Sequence, residues 1–402
     1  MNMPMLIILG NMVTSFGNSM YVVALIIFTA DKFHDPFYIG LIQTAAYLPA
    51  VLFSLQGGRL ADRCSRPLII AGSDLARSII LFSGALMLYT FSAVHPFIIL
   101  IPMVFINAVM QAHFSPAVIS FILDQKRIKW DLLSLRTGSG HLASLAGQTI
   151  GALLYPILGL IPLLAVNSIC FLSSGISELF LKENESRNQK KRINASNNKI
   201  NFPKAFKDFI KLERKGAPVF LYLGMQAVNS MIILNLPFFL KHRLGFESRF
   251  IGYGLAGLLG GSILSGFTMG LTGLAGKIKS AAATTAALAC SLIFFLASII
   301  GTGEPEKAFF FVPLFLLICA GALMGLIHLV TIHQVYIKGP RDSAAARQGF
   351  LEASATAVLP ASYLLTGLIA SRLPLDTPWI LRSAGILAFF IAGTEIFRKN
   401  RK

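Results

Sequence analysis

The sequence predicts an all-α integral membrane protein, with twelve transmembrane helices in two pseudo-symmetric six-helix bundles. Three observations predict it. Of the 402 residues, 55% are hydrophobic and only 13% are charged, where a soluble domain carries about 25% charged residues. The chain also breaks into twelve apolar runs, near residues 4–30, 38–57, 67–90, 95–123, 132–158, 160–181, 217–240, 250–272, 278–301, 308–336, 344–370 and 378–397. These suit a hydrocarbon layer that takes roughly 20 helical residues to cross. Finally, one long polar stretch, Lys182 to Lys215, separates the sixth run from the seventh. It divides the chain into an N-terminal bundle (1–181), a basic linker (182–216) and a C-terminal bundle (217–402).

The formal net charge of +17 could suggest nucleic acid, but its placement excludes that reading. Most of the 35 Lys and Arg fall in alternate connections, in the central linker and at the C-terminus. The loop between the fourth and fifth runs is one of these, with Arg136 counted among its bases. Basic residues in short loops mark the cytoplasmic side, so both termini and the linker are expected there, in a bacterial inner membrane. No nucleic-acid partner is expected. Cys64, Cys170, Cys290 and Cys319 form no CxxC pair, so neither a metal nor a disulfide framework is expected. Met5 to Ala30 is too long for a signal h-region and reads as the first helix.

Between the second and third runs lies a compact charged island, Gly57-Gly58-Arg59-Leu60-Ala61-Asp62-Arg63-Cys64-Ser65-Arg66-Pro67. It is predicted to be a short cytoplasmic turn. The pattern Gly58-x-x-x-Asp62-Arg63-x-x-Arg66 resembles the loop between helices 2 and 3 of the major facilitator superfamily. Ser65 stands where that pattern usually has Gly, and Pro67 where it has a base. The resemblance implies that Gly58 permits close helix approach, and that Asp62 faces the start of helix 11 while pairing with nearby Arg. The Lys- and Gly-containing stretch Gly270 to Lys279 occupies the matching slot in the second half without the Asp.

Two more stretches narrow the resemblance. Gly147-Gln148-Thr149-Ile150-Gly151-Ala152, in the fifth run, resembles the antiporter motif of drug exporters. Small residues there allow tight helix packing. Gly72-Ser73-Asp74-Leu75-Ala76-Arg77 and the segment from Val335 to Arg347 resemble the macrolide-efflux and siderophore-exporter branch. Two departures matter: helix 4 has no counterpart of the membrane Arg of many drug exporters, and Asn18 stands where an acid is common.

An ionisable group inside a bilayer is costly and points to function by default. Asp74 and Arg77, spaced i,i+3, share a helix face and can pair; they are expected to act with the charged island as a gate. Glu178 and Glu395 sit near helix ends and are expected to reach the interface. His113, His141, His328 and Glu352 lie deeper. His141 stands as far beyond Arg127 as Glu352 does beyond Lys338, at equivalent places in the two halves. Glu352, the one carboxylate placed deep in a helix where Asn18 replaces the usual helix 1 acid, is the expected proton carrier, with His141 or His328 as relay partners, since His titrates near neutrality. Asn11, Asn18, Gln43, Gln111, Gln226 and Asn229 fall on helices 1, 2, 4 and 7, which line the cavity in the fold that the resemblance implies. Neutral hydrogen-bonding groups among apolar walls suit an amphipathic or lipid-like organic molecule.

The reading is a secondary transporter, coupling proton entry to efflux of an amphipathic solute by alternating access, as a monomer among membrane lipids and without cofactor. A lysophospholipid flippase and a metabolite importer are the alternatives. An enzyme is not expected, since no HxxxD, HExxH or GxSxG arrangement occurs in the chain.

Overall fold

The structure, a computed structural model, describes residues 3–123, 129–181, 218–243, 245–272, 280–300, 311–338, 344–372 and 379–400. These form twelve α-helices and no strand: α1 (Met3–Phe33), α2 (Pro36–Arg63), α3 (Arg66–Thr90), α4 (Pro96–Leu123), α5 (Lys129–Leu158), α6 (Leu160–Glu178), α7 (Val219–Phe238), α8 (Ser248–Thr272), α9 (Ser280–Ile300), α10 (Phe311–Lys338), α11 (Ala344–Ala370) and α12 (Trp379–Asn400). The twelve apolar runs are thus twelve helices. In lipid, a helix satisfies every backbone polar group within its own segment. Among the described residues, α1–α4, α6, α7, α10 and α11 are long and apolar enough to cross a membrane, while α8, α9 and α12 carry shorter apolar stretches. The α5 helix is in neither group, because it carries Arg136, His141 and Gln148 along its length.

One boundary differs from the sequence expectation. The charged island is not a loop: α2 continues through it to Arg63, leaving only Cys64 and Ser65 before α3. Nothing in Gly57 to Arg63 breaks a helix apart from the glycine pair, and the turn is fastened from both sides. Cys64 N donates to Leu60 O at 2.8 Å, and Arg66 Nε donates to Ala61 O at 3.2 Å. Pro67 sits in the first turn of α3, where its missing N–H costs nothing.

The helices form two compact units: Met1–Phe28 with Ile42–Lys199, and Thr29–Leu41 with Ile200–Lys402. In the first unit α3 packs on α4 and α6; in the second α9 packs on α10 and α12. The same correspondence holds for α8 against α10 and α2 against α4, where Gly57 meets Ala112. This is the internal repeat that the weak second motif suggested. The hairpin between α1 and α2 is counted with the second unit, where Lys241 Nζ donates to Asp31 Oδ1 at 2.5 Å. Lys241 stands in a π-helical turn, Phe239–Arg243, that follows Pro237 in α7. A proline lacks the N–H that would continue the α-helical ladder, and such wide turns are one way a helix accommodates the break.

Candidate functional site

The first unit holds a half-open cavity of about 270 Å³, lined by residues of α1 to α6. Its polar wall is Asn11, Thr14, Ser15, Asn18 and Tyr21 from α1, Gln43 and Tyr47 from α2, Asn107 and Gln111 from α4; Val22, Leu25, Ile42, Val104 and Phe114 supply apolar surface. The structure therefore brings together Asn11, Asn18, Gln43 and Gln111, four of the six cavity residues expected from sequence. Two cations complete the wall: Arg77 from α3 and Arg136 from α5. No acid lines it.

Arg77 is anchored within the first unit. Its Nε donates to Asn107 Oδ1 at 3.0 Å and its Nη1 to Gln111 Oε1 at 2.5 Å. Its guanidinium lies 3.8 Å over the Phe171 ring, a cation–π contact that gains strength away from water. Gln111 in turn donates to Ser115 Oγ at 3.1 Å. The i,i+3 partner Asp74 is there as the spacing predicted, but at 3.6 Å from Nη1. Asp74 is wholly buried, and neither of its carboxylate oxygens completes a hydrogen bond.

A second acid joins it. Glu178 was expected to reach the interface from the end of α6; it is instead only 1% exposed. The reason is the face it shares. Asn167, Ser168, Phe171, Ser174, Gly175 and Glu178 recur every three or four residues along α6 and are all buried, so the last turn belongs to the interior stripe. Ser168 is hydrogen-bonded to Ser78 of α3. Ser174 Oγ donates to Glu178 Oε1 at 3.3 Å, while Oε2 has no partner. Gly10 of α1 makes room here, since a Cβ on it would lie 2.7 Å from Ser174 Oγ.

Arg136 closes the arrangement. Counted from sequence among loop bases, it sits inside α5 with a buried Nε that has no hydrogen-bond partner. Its backbone carbonyl accepts from Asn11 Nδ2 at 3.1 Å. Asp74, Arg77, Arg136 and Glu178 lie within electrostatic reach of one another. Leaving a buried charge without hydrogen bonds is among the most expensive things a protein does, and three of these four groups carry unsatisfied atoms. Together they form a charge cluster behind a cavity wall. Two carboxylates and two guanidiniums cancel, so one added proton makes the cluster net positive.

The remaining candidates lie elsewhere. In the second unit Gln226 Nε2 donates to Tyr222 Oη at 3.3 Å, and His328 Nδ1 lies 2.7 Å from the same oxygen. His328 is thus joined to Gln226 through Tyr222. Asn229 is half-buried on the same helix, α7. His113 Nδ1 is 2.8 Å from Val109 O, one turn back in its own helix, and His141 is on the exposed face of α5. Glu352 belongs to α11, but its side chain, like that of Asp62, lies outside the described residues. Around the island, Arg63 is exposed and Arg66 buried. Close approach falls one residue earlier than expected: a Cβ on Gly57 would lie 2.5 Å from Ala112 O, whereas Gly58 faces open space. Gly147 and Gly151 do press α5 against α1, at the backbone of Phe16 and Met20. Among the described residues no group of His, Cys, Asp and Glu is gathered as a metal site.

Sequence reasoning missed Arg136, Asn107 and Glu178. For Glu178 the signal was present: the small and polar stripe of α6 leads straight to it.

Two helical units with matching internal packing, the first of them holding a polar cavity, are the architecture of a class of membrane protein, the secondary transporters built from internal repeats. The Major Facilitator Superfamily model matches residues 7–360, and the chain belongs to that family. No curated protein sequence matches it. Among solved structures it is similar to the nucleoside transporter NupG, with 14% identity, a TM-score of 0.75 and all of both chains covered. It is also similar to the POT family transporter PepTSo, at 12% identity and TM-score 0.69 over 99% of this chain and 98% of that one. A bacterial homolog of the human lysosomal transporter Spinster aligns at 13% identity and TM-score 0.66, over 99% of this chain and 96% of that one.

Proposed function

We propose that the protein is a proton-coupled secondary transporter that moves an amphipathic organic solute across the membrane by alternating access. The observation that carries this is the buried Asp74–Glu178 pair, set behind Arg77 and Arg136 of the cavity wall. Transport against a gradient needs a group whose charge changes between steps and is felt at the solute site. Intramembrane carboxylates next to a cavity are where such groups are found. In this proposal Asp74 and Glu178 hold the proton, the part that sequence reasoning gave to Glu352.

For direction, resemblance to the macrolide-efflux and siderophore-exporter branch supports efflux. The cavity wall supports uptake, because a proton on the acids behind it leaves Arg77 and Arg136 net positive, so that proton and anionic solute load together and enter with the inward proton flow. Uptake is the direction the geometry supports better.

The test needs no knowledge of the solute. Infrared difference spectra of the full-length protein, titrated through the neutral range and stopped above the pH at which ordinary carboxylates protonate, should show a protonated carboxyl C=O band in the wild type. Asp74→Asn/Glu178→Gln should lack it. A band that persists unchanged in the double variant would place the titrating acid elsewhere and overturn the proposal.

A further inference from the structure

We infer that the cavity of the first unit is an anion site, in which Arg77 and Arg136 receive a carboxylate or phosphate group of the transported solute. The inference rests on the proton-holding reading of the cluster behind them and names the chemistry of what it transports. Three observations carry it.

The first is polarity. Both charged side chains on the cavity wall are cations, and both acids stand behind them, buried to within 1%. A cationic solute would meet two guanidiniums at short range. The second is unspent capacity. Arg77 donates to the neutral amide oxygens of Asn107 and Gln111, while its acid stays beyond hydrogen-bond distance at 3.6 Å. Arg136 has a buried Nε with no acceptor at all. A planar guanidinium fork matches carboxylate and phosphate oxygens and binds them more strongly than neutral acceptors, so an anion gives Arg136 an acceptor and offers Arg77 a stronger one than the amides it now holds. The third is the rest of the wall. Asn18 and Ser15 offer hydrogen bonds and Phe114 apolar surface, so the anionic group belongs to a solute with an organic body.

The charge balance then sets the linkage. With Asp74 and Glu178 both ionised, the arginines are neutralised from behind and hold an anion weakly. One proton on the pair leaves a net positive wall and a stronger site. The titratable and charged groups facing the pair are Arg77 on α3, Arg136 on α5 and, through Arg77, Tyr21 on α1; Ser174 and Asn167 of α6 and Asn107 and Gln111 of α4 are neutral. Proton and anion therefore bind cooperatively, and each must strengthen the other by the same factor. Co-transport of the two, entering together, is what this linkage produces.

Thermal unfolding of the full-length protein in nanodiscs tests the inference, since a ligand that binds the folded state raises the midpoint. The probes are naphthyl phosphate, naphthoate and the cation naphthylmethylammonium, with lysophosphatidate as a lipid-headgroup arm. The anions should raise the midpoint, more at acidic than at alkaline pH, and the cation should not. Arg136→Gln should weaken anion binding about tenfold or more, the scale of one charged hydrogen-bonded contact, and Arg136→Lys should recover part of it. Lysophosphatidate acting alone assigns the anion to a lipid headgroup; naphthyl phosphate acting as well assigns it to a water-soluble solute. No shift with any of the three anions, a preference for the cation, or anion binding untouched in a stably folded Arg136→Gln protein would each overturn the anion site. Asp74→Asn/Glu178→Gln separates this from the reading beneath it. Anion binding through Arg136 with no pH dependence in the wild type keeps the anion site and removes the proton. Cation binding whose pH dependence vanishes in the double variant does the reverse.

Discussion

Arg77 shows how much a single buried residue can be asked to do. It is 5% exposed, bonded to two amide oxygens, stacked on Phe171 and offset from its acid by 3.6 Å. Removing one member of a buried ion pair typically costs about 3–5 kcal/mol, because the other is stranded, whereas removing both can be nearly neutral. Arg77→Met should therefore lower the thermal midpoint sharply, and Asp74→Asn in the same protein should regain most of that loss. A double-mutant cycle by thermal unfolding measures the coupling; additive losses would mean that Asp74 does not stand as Arg77's counter-ion. The pair was legible in the sequence because i,i+3 spacing puts two residues on one helix face. Asn107, Gln111 and Phe171 as partners were not, because they are 30, 34 and 94 positions further on and only tertiary packing brings them to it. Arg136 was hidden for a different reason: a base close to a loop reads as topogenic until the helix start is known.

Among the elements, the twelve helices were legible from apolar length alone, since a spanning segment must satisfy its own backbone. Their ends were less so. A charged stretch such as Arg59 to Arg63 reads as a turn by polarity, yet nothing in it prevents α2 from running on past the apolar run. Close contacts followed a partly readable logic. Gly147 and Gly151 stand one turn apart on the face of α5 that meets α1, and the pattern of small residues announced them. In the Gly57–Gly58 pair, the sequence alone could not say which glycine meets α4. The structure predicts a clear contrast. Gly58→Ala should raise the unfolding midpoint slightly, since Gly within a helix is about 0.5–1 kcal/mol less stable than Ala, while Gly57→Leu should cost about 1–3 kcal/mol, the usual cost of overpacking. Equal effects at the two positions would contradict the placement of α2 against α4. In the second unit, Lys241→Met should free the α1–α2 hairpin from the π-helical turn. Faster hydrogen exchange in Thr29–Leu41 would report it, and unchanged exchange would show that the Asp31 contact does not hold the hairpin.

At the scale of the whole molecule, family and fold were within reach of the sequence, because twelve apolar runs split by one polar linker admit few architectures. Solute and direction were not, because they depend on which polar groups converge in one cavity, and those come from five different helices. Membrane orientation remains a proposal from charge placement: both termini and the 182–216 linker face the cytoplasm, a segment outside the described residues. An impermeant thiol reagent added to intact cells should leave a cysteine at Asn194 unlabelled, and rapid labelling would invert the topology. The central claim is that a proton on the Asp74–Glu178 pair is tied to movement of an anionic solute past Arg77 and Arg136. Proteoliposomes loaded with a pH-sensitive dye test it directly, with naphthyl phosphate added on the outside in the absence of any other gradient. The account predicts internal acidification that depends on the added anion. In Asp74→Asn/Glu178→Gln liposomes the acidification should vanish while naphthyl phosphate still exchanges across the membrane. Anion entry without acidification in the wild type, or acidification that survives in the double variant, would contradict it.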